Sequence, residues 1–390
     1  MPLFYLIAGE QSGDILGARL MRAIEARRPD VRFAGIGGTA MQEAGLTSLF
    51  PMRELALMGL LEVVPRLVRL RERLRQTVAD IAKRMPDVVV TIDSPGFTLR
   101  VLRTIAPLRI PRVHYVAPQV WAWREGRVKH YPGLWDQLLC LLPFEPAFFA
   151  GHGLPATFVG HPVLESGAGD GDGHAFRASN GIAPGDCVVT IMPGSRRTEV
   201  SRLLPVLGET LARIPRPIVP VVPVAAPVAE AVRGATGGWP VKPILVTTTD
   251  DKHDGFAASA AALTKSGTST LELALARVPM IVTYRVNPLT ALLARRLVKV
   301  KYASLLNLLA EREVVPELIQ EDCRPDRLAA ALDGLLSDPG VASAQVQGFE
   351  EPLAALAPAG GLAPSEAAAD AVLACLGQAP VGAATWAASG

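Results

Sequence analysis

Short apolar runs alternate with longer segments of helical periodicity through the first part of the chain. The runs are rich in β-branched residues and occupy residues 3–8, 31–35, 88–92, 113–116 and 138–142. Such alternation predicts right-handed βαβ units and a parallel sheet covered by helices on both faces.

A second series of the same kind occupies residues 187–192, 218–224, 243–246, 261–264 and 280–283. The polar, glycine-rich sequence ESGAGDGDG at 165–173 separates the two series and has no periodicity. We therefore predict an α/β protein with two doubly wound domains, at residues 1–165 and 174–340. Ligands of open α/β sheets bind outside the carboxyl ends of the strands, so the domains are expected to face an interdomain cleft. Residues 341–376 are predicted as C-terminal helices returning toward the first domain, and residues 377–390 as a loose tail.

Composition narrows the class of protein further. The 390 residues are 49% hydrophobic and include 39 basic and 37 acidic side chains, which excludes wholesale disorder and argues against nucleic-acid binding through bulk charge. The four cysteines have no C-x-x-C spacing, so neither a zinc site nor a disulfide framework is expected. The same cysteine usage makes a reduced cytoplasmic compartment the expectation.

The start of the chain resembles a buried strand rather than a signal peptide. No apolar stretch is long enough to span a bilayer, so any membrane contact is expected to be peripheral.

Two loops of the first half carry candidate chemistry. The turn at 9–14 has small residues that allow backbone N–H groups to approach a ligand, but its spacing is not the dinucleotide fingerprint. Alternatively, Ser12 or Asp14 caps the following helix. Asp93 ends the third apolar run, where a carboxylate can take a proton from an attacking hydroxyl. On the other interpretation, Asp93 is an ordinary helix cap held by the turn at Pro95.

Two loops of the second half suit a nucleotide diphosphate. Arg196 and Arg197 follow a glycine turn and offer forked, permanently charged donors. The alternative is a surface loop with two solvated arginines. Downstream, the loop at 266–268 offers amides and hydroxyls to phosphate, and Glu272 offers a carboxylate to ribose hydroxyls. The alternative there is a capped helix with Glu272 near its positive end.

Aromatic and histidine residues cluster at 114–124. Sugar rings stack on tryptophan faces, although tryptophans two residues apart also indicate one side chain in the core. His114 and His161 are candidates for acid–base chemistry. A structural role at a strand end is the alternative for both.

Residues 55–74 combine an apolar stripe with closely spaced arginines, a pattern typical of a helix in a membrane interface. A helix packed on the sheet with its arginines in water is the alternative. The candidate interface residues are Leu60, Val64, Leu67, Arg66, Arg69 and Arg73.

Taken together, these motifs resemble those of one family, lipid-A-disaccharide synthase, and are collinear with it from residue 8 to about residue 330. They are AGEQSGDILG (8–17), ELALMGLLEV (54–63), IDSPGF (92–97), HYVAPQVWAWR (114–124), LPFEPAFF (142–149), FVGHP (158–162), MPGSRRTEV (192–200), KSGTSTLE (265–272) and SLLNLLAEREVVPELIQ (304–320).

The resemblance implies an inverting glycosyltransferase of the two-Rossmann, GT-B architecture at the inner face of the bacterial inner membrane. It implies UDP-2,3-diacylglucosamine as donor and 2,3-diacylglucosamine 1-phosphate as acceptor, with a β-1,6-linked disaccharide 1-phosphate and UDP as products. No cofactor, no metal and no nucleic-acid partner are expected.

The resemblance also implies residue roles. Asp93 matches the family's essential aspartate and is expected to be the general base, while Asn307 is expected near the diphosphate. Glu10, Ser12 and Gly13 are expected to position a sugar. The expected UDP site comprises Arg196, Arg197, Ser266, Gly267, Thr268 and Glu272.

One position departs from the family pattern. Many members have a second acidic residue where this chain has Gly96, so a mechanism with two carboxylates is not carried over. Three other functions share the predicted architecture: a UDP-N-acetylglucosamine 2-epimerase, a peptidoglycan glycosyltransferase, and a two-domain binding protein without catalysis. Release of UDP from UDP-diacylglucosamine that depends on the diacylated glucosamine 1-phosphate acceptor and yields a disaccharide distinguishes the synthase from all three.

Overall fold

The computed structural model describes residues 1–55, 63–123, 125–287, 291 and 297–377, and only the backbone of residues 63–67. The described chain forms two compact units. The first comprises Met1–Pro162 together with the chain from Leu356 onward, and the second comprises Val163–Ala355. Each unit contains a six-stranded sheet in which every pairing is parallel, so the prediction of two doubly wound α/β halves is confirmed.

The first unit alternates strands and helices from its first residues onward. Its elements are β1 (Leu3–Ala8), α1 (Gln11–Arg27), β2 (Arg32–Ile36), α2 (Thr39–Glu43), α3 (Val63–Arg84), β3 (Val88–Ile92), α4 (Pro95–Ile105), β4 (Arg112–Tyr115), α5 (Val120–Trp123), β5 (Gln137–Cys140), α6 (Glu145–Ala150) and β6 (Ala156–Phe158).

Both faces of this first sheet are buried, as expected for a parallel sheet. Alternate residues of a strand point to opposite faces, and β1 shows the consequence. Tyr5 and Ile7 pack in a cluster with apolar residues of α3 and α4. Phe4 and Leu6 pack in another cluster with α1. The strand is therefore continuously apolar, and no polar face marks one side of it.

The second unit repeats this alternation. Its elements are α7 (Gly173–Ser179), β7 (Val188–Met192), α8 (Arg197–Leu211), β8 (Val219–Pro223), α9 (Ala229–Thr236), β9 (Ile244–Val246), α10 (Thr249–Ala258), β10 (Ala261–Lys265), α11 (Ser269–Leu275), β11 (Met280–Tyr284), α12 (Leu305–Ala310), β12 (Glu317–Ile319), α13 (Pro325–Ser337), α14 (Pro339–Gln347) and α15 (Glu350–Ala354). Val189 and Ile191 of β7 pack in a core with α8 and α13, while Val188 packs on the other face with α7.

The strand order of each sheet reverses at one position. The first sheet has the order β2-β1-β3-β4-β5-β6, and the second has the order β12-β11-β10-β7-β8-β9. The chain therefore proceeds outward in opposite directions from the β1/β3 pair and from the β7/β10 pair. Such switch points open a crevice at the carboxyl ends of the two strands, where ligands of doubly wound sheets bind.

The chain after Ala355 returns to the first unit. Its last helix, α16 (Pro364–Leu373), packs on α1, and Ala368 and Val372 join the same core as Met21 and Ile24. The Arg27 guanidinium also pairs with the Asp370 carboxylate of α16. These contacts hold the chain after Ala355 against the first unit.

The second unit continues beyond residue 340, where the sequence analysis ended it. The Gln345 side chain of α14 accepts a hydrogen bond from the Met280 backbone N–H at 2.5 Å. This buried contact ties α14 to the start of β11 and holds residues 341–355 in the second unit. The predicted loose tail at 377–390 lies outside the described residues except for Gly377.

Every apolar run predicted to be a strand forms one, and no end is shifted by more than two residues. Two edge strands of three residues, β6 and β12, were not predicted, because their sequences ATF and ELI are not continuously apolar. The edge strand β9 is equally short but was predicted from its apolar sequence ILV. Among the helices the structure describes, none is long and apolar enough to cross a membrane.

Candidate functional site

The first candidate site lies at the switch point of the first sheet. Ala8, the last residue of β1, is in register with Ile92, the last residue of β3. The loops that begin with Gly9 and Asp93 therefore leave the sheet side by side. A Cβ at Gly9 would lie 2.5 Å from the Ser94 Oγ, so the close approach of these loops requires glycine.

Asp93 and Ser94 have left-handed backbone conformations, with φ of 48° and 47°. Such angles are costly for residues with a Cβ and persist only where the surroundings hold them. The Asp93 N–H donates to the Tyr115 carbonyl at 2.9 Å. The Thr98 hydroxyl donates to the carbonyls of Asp93 at 2.7 Å and Ser94 at 3.0 Å. The half-buried Asp93 side chain is thus presented by a strained, braced loop.

The loop after β1 presents polar side chains to solvent. Glu10 and Ser12 are exposed, and Gly13 is buried against the sheet, with an added Cβ only 3.5 Å from Ala8 and Ile92. Glu10 is the residue before α1 and makes no side-chain cap. The alternative that Ser12 caps this helix is therefore wrong, since Ser12 lies inside α1.

Asp14 caps a different helix from the one the sequence suggested. Its buried carboxylate accepts backbone hydrogen bonds from Gly38 at 2.7 Å, Ala40 at 3.0 Å and Met41 at 3.1 Å. These N–H groups belong to the first turn of α2, where no intrahelical acceptor exists. Asp14 therefore joins α1 to the start of α2, a contact between residues that local sequence pattern does not reveal.

His114 is buried inside the first unit. Its Nδ1 lies 2.8 Å from the Thr91 hydroxyl, and its ring stacks on Trp135 with centroids 5.6 Å apart. Burial lowers the pKa of His114 to about 4, and burial also lowers the pKa of His161 to about 4. Both rings are therefore neutral at physiological pH, which is consistent with a structural role for each histidine at a strand end.

Glu145 was not among the candidate residues predicted from the sequence. Its buried carboxylate accepts hydrogen bonds from Trp121 Nε1 and from the backbone N–H groups of Leu141 and Leu142, each at 3.0 Å. Burial raises the pKa of Glu145 to about 7, against the opposing effect of these donors. The sequence feature that could have identified Glu145 is its position as the lone acidic residue of the apolar segment 141–149. Glu145 holds Trp121 in place, whereas Trp123 is 42% exposed.

The predicted membrane-facing stretch is only partly described. Leu60 lies outside the described residues, as do the side chains of Val64, Arg66 and Leu67. Arg69 is exposed. Arg73 pairs with Glu54 at 2.8 Å, and its guanidinium lies 4.9 Å from the centroid of the Phe50 ring. Arg73 is thus engaged inside the first unit, whereas the Arg69 side chain is exposed.

The second candidate site lies at the switch point of the second sheet, where Met192 of β7 is in register with Thr264 of β10. The loop after β7 turns at Gly194, whose φ of 111° suits glycine. Arg196 immediately precedes α8 and Arg197 begins it, and both side chains are exposed. The structure therefore presents both predicted guanidinium groups at the carboxyl edge of this sheet.

The loop after β10 leaves the sheet beside the arginine loop. Both donors of Ser266 are already used, since its N–H donates to the Thr283 carbonyl at 3.1 Å and its hydroxyl donates to the Ala303 carbonyl at 2.6 Å. The expectation that Ser266 offers its amide and hydroxyl hydrogens to phosphate is therefore corrected. Gly267 has a φ of 149°, and Thr268 is exposed.

Glu272 and Asn307 both have partners in the second unit. Lys252 Nζ lies 2.8 Å from Glu272 Oε1. Asn307 is fully buried; its amide donates to the Val315 carbonyl and to Glu317, and its oxygen accepts from two backbone N–H groups. All four hydrogen-bonding positions of this side chain are thereby filled. Asn307 acts on the loop indirectly, because Glu317 also accepts from the N–H of Ala303, whose carbonyl holds Ser266.

Comparisons with known proteins agree with this architecture. A family model described as "Lipid-A-disaccharide synthetase" matches residues 4–357. The chain is 57% identical to the lipid-A-disaccharide synthase of Granulibacter bethesdensis, covering 97% of this chain and 99% of that protein. It is 52% identical to the lipid-A-disaccharide synthase of Rhodospirillum centenum, covering 95% and 94%.

Solved structures show the same fold at low sequence identity. UDP-GlcNAc 2-epimerase from Neisseria meningitidis bound to UDP-GlcNAc is 12% identical with a TM-score of 0.66, covering 96% of this chain and 100% of the other. The calicheamicin glycosyltransferase CalG4 is 16% identical with a TM-score of 0.56, covering 96% and 98%.

Two doubly wound units, each with polar loops at its switch point, define a protein of the GT-B glycosyltransferase fold. Fold alone does not decide the reaction, since epimerases share it. The family match and the close relatives do: the chain belongs to the lipid-A-disaccharide synthase family. It is a hexosyltransferase of lipid A disaccharide synthesis.

Proposed function

We propose that this enzyme joins UDP-2,3-diacylglucosamine to 2,3-diacylglucosamine 1-phosphate with inversion at the anomeric carbon. The products are a β-1,6-linked disaccharide 1-phosphate and UDP. The observation that carries the proposal is the position of Asp93, a carboxylate on a braced, left-handed loop at the switch point of the first sheet. Family membership supports the reaction, and the exposed cations of the second switch point support the UDP-linked donor.

In the proposed step, Asp93 accepts the proton of the acceptor 6-hydroxyl as that oxygen attacks the donor's anomeric carbon. A carbon–oxygen bond forms on one face of the sugar while the bond to the UDP oxygen breaks on the other. Glu10 immediately precedes α1, Ser12 and Gly13 lie in its first turn, and all three are proposed to position a sugar. The rigid presentation of Asp93 favours such a role because proton transfer requires the base within hydrogen-bonding reach.

The departing UDP carries the negative charge that develops in the transition state. Arg196 and Arg197 are exposed at the carboxyl edge of the second sheet, where their charge can stabilise a diphosphate. Gly267 and Thr268 are proposed to contact the phosphates, and Glu272 to accept hydrogen bonds from ribose. Ser266 and Asn307 support this loop through their own hydrogen bonds.

The acylated substrates reside in a bilayer, so we propose peripheral association with the inner face of the inner membrane. Arg69 on α3 is exposed beside Val68, an apolar side chain that is 63% exposed. This combination of charge and apolar surface suits an interface with anionic lipid. Arg73 is proposed to support this part of α3 through Glu54 rather than to contact lipid itself.

The test is a UDP-release assay with UDP-diacylglucosamine, with and without the diacylated glucosamine 1-phosphate acceptor. We expect UDP release that requires the acceptor and yields a disaccharide with inverted anomeric configuration. Release without acceptor would identify a hydrolase, and formation of an epimerised UDP-sugar would identify an epimerase. Either result would overturn the proposal.

Asp93→Asn tests the proposed base. We expect kcat to fall by about 10²–10⁴-fold, the usual contribution of a general base, with UDP affinity unchanged. The matched control is Asp30→Asn, because Asp30 is a surface carboxylate of the same unit that pairs with Arg28. Normal turnover of Asp93→Asn would refute the assignment.

A further inference from the structure

Glu199 is a buried carboxylate in the first turn of α8 that gathers an unusual set of partners. Its Oε1 lies 3.2 Å from the Arg196 guanidinium and 3.2 Å from Lys265 Nζ. Its Oε2 accepts the backbone N–H groups of Ser195 and Arg196, both at 3.3 Å. One side chain thus contacts the arginine loop and the end of the neighbouring strand.

These contacts cross the switch point of the second sheet. Arg196 follows β7, and Lys265 is the last residue of β10, the strand paired with β7. Glu199 therefore contacts two cations that come from separate parts of the chain. The Arg196 side chain is 72% exposed, whereas the Lys265 side chain is 17% exposed.

The glycines of both loops fit around this arrangement. A Cβ at Gly194 would lie 2.6 Å from Glu199 Oε2, so the carboxylate occupies its place because residue 194 has no side chain. A Cβ at Gly267 would lie 3.3 Å from Lys265 Nζ, closer than most such contacts. The backbone of each loop is thereby brought close to the charged groups.

The charges of this cluster present an apparent contradiction. Burial opposes ionisation of Glu199, but Lys265 and Arg196 outweigh it and hold the pKa of the carboxyl below its usual range. The ionised carboxylate cancels half of the positive charge that two cations offer to an anion. A negative group beside an anion site is useful only if the order it imposes outweighs the charge it removes.

We propose that Glu199 is a positioning residue that holds Arg196 and Lys265 as paired cations for the donor diphosphate, and that Lys265 is itself a diphosphate ligand. The inference rests on the proposed UDP donor. It adds a ligand, Lys265, that the arginine and glycine motifs did not identify. It also explains the buried acid within a site for an anion.

The sign of one effect separates positioning from simple charge. Glu199→Gln raises the net charge of the cluster, so a residue that merely offsets charge predicts tighter UDP binding in the variant. Positioning predicts weaker binding despite the added positive charge. We expect the Kd of UDP, measured by calorimetry, to rise about tenfold or more, the scale of a lost charge-assisted hydrogen bond. Unchanged or tighter UDP binding would overturn the positioning role.

Uridine, which lacks the phosphates, serves as the companion ligand. A variant that only damages the fold weakens uridine and UDP together, whereas loss of cation placement weakens UDP alone. Glu209→Gln on the same helix is the matched control, because its side chain is 63% exposed and pairs with Arg213. We expect this control to bind UDP as the wild type does.

Lys265→Met tests whether Lys265 is a diphosphate ligand. This test remains valid even if the Glu199→Gln variant does not fold. We expect a rise of about tenfold in the Kd of UDP, an unchanged Kd of uridine, and a shallower dependence of UDP affinity on salt. Equal UDP affinity in Lys265→Met and wild type would show that Lys265 is not a ligand. Failure of the wild type to bind UDP would instead refute the proposed donor, and the inference with it.

Discussion

The Thr98 hydroxyl donates a hydrogen bond to the Asp93 carbonyl at 2.7 Å and thereby holds a left-handed residue at the end of β3. Thr98 is fully buried in the first turn of α4, so the brace comes from the helix that the strained loop introduces. Strand, strained residue and helix form one local unit. The Thr98 side chain therefore braces the backbone of the proposed base without being proposed to contact substrate.

Thr98→Val tests this dependence with little change of shape. Loss of the hydroxyl removes a buried donor from the Asp93 carbonyl, whereas the Ser94 carbonyl still accepts the N–H groups of Phe97 and Thr98. We expect this loss to cost about 1–3 kcal/mol in the free energy of unfolding. If Asp93 is the proposed base, we also expect kcat to fall about tenfold or more, because small displacements of a general base are costly, with little change in UDP affinity. Urea denaturation and steady-state kinetics measure these effects. Thr98→Ser, which retains the donor, is expected to recover kcat; a wild-type kcat in Thr98→Val would contradict the bracing role.

The contact between Gly9 and Ser94 predicts a pair of compensating substitutions. In Gly9→Ala the new Cβ meets Ser94 Oγ at 2.5 Å and Ser94 Cβ at 2.8 Å, and we expect a loss of about 1–3 kcal/mol in unfolding free energy. Ser94→Gly removes both atoms and suits the φ of 47° at that position. The double variant should regain most of the stability lost in Gly9→Ala. Additive losses in a double-mutant cycle would show that the two loops do not touch in this way.

The buried histidines predict how stability depends on pH. The ordinary histidine pKa is about 6.5, and burial lowers it to about 4 for His114. Between these values the unfolded chain binds a proton that the native ring does not, so the free energy of unfolding falls as pH decreases from 6.5 to 4. In His114→Phe we expect the slope to lessen by up to about 1.4 kcal/mol per pH unit. Denaturant unfolding at several pH values measures it.

His130→Gln is the control for the pH series, since it removes an exposed histidine of the same unit instead of a buried one. His161 contributes in the same direction as His114 and remains in the variant, so part of the slope should persist. An unaltered slope in His114→Phe would mean that the native ring titrates as freely as the unfolded one.

The exposure of Arg69 predicts its contribution to membrane binding. Charge reversal in Arg69→Glu is expected to weaken sedimentation with anionic vesicles by roughly tenfold, since each basic residue near such a surface contributes about 1 kcal/mol. Neutral vesicles should show little difference between the proteins. Arg213→Glu makes the same charge change on an exposed arginine of the second unit and should bind as the wild type does. Equal binding of Arg69→Glu and wild type would remove Arg69 from the proposed interface.

Much of the fold was predictable because a buried parallel strand can be recognised from its own local sequence. A short β-branched run bounded by a turn is already typical of such a strand, and β1 and β3 have the bounds that the pattern indicated. The candidate loops were predictable for a related reason, because polar and glycine residues that directly follow a strand reach the carboxyl edge of the sheet. Asp93 and Arg196 were identified in this way.

Contacts between distant residues were not predictable, because periodicity reports burial and not the identity of the partner. The sequence alone thus determined two series of strands, their parallel arrangement and the loops that follow them. Only the tertiary structure decided that Asp14 caps α2 and that Arg73 pairs with Glu54. It also decided that the side chain of Asn307 forms all of its hydrogen bonds within the second unit. The structure also placed Lys265 beside Glu199, across two strands that are adjacent in the sheet but distant along the chain. Such pairs arise when the strand order reverses, and the strand order is a property of the assembled sheet.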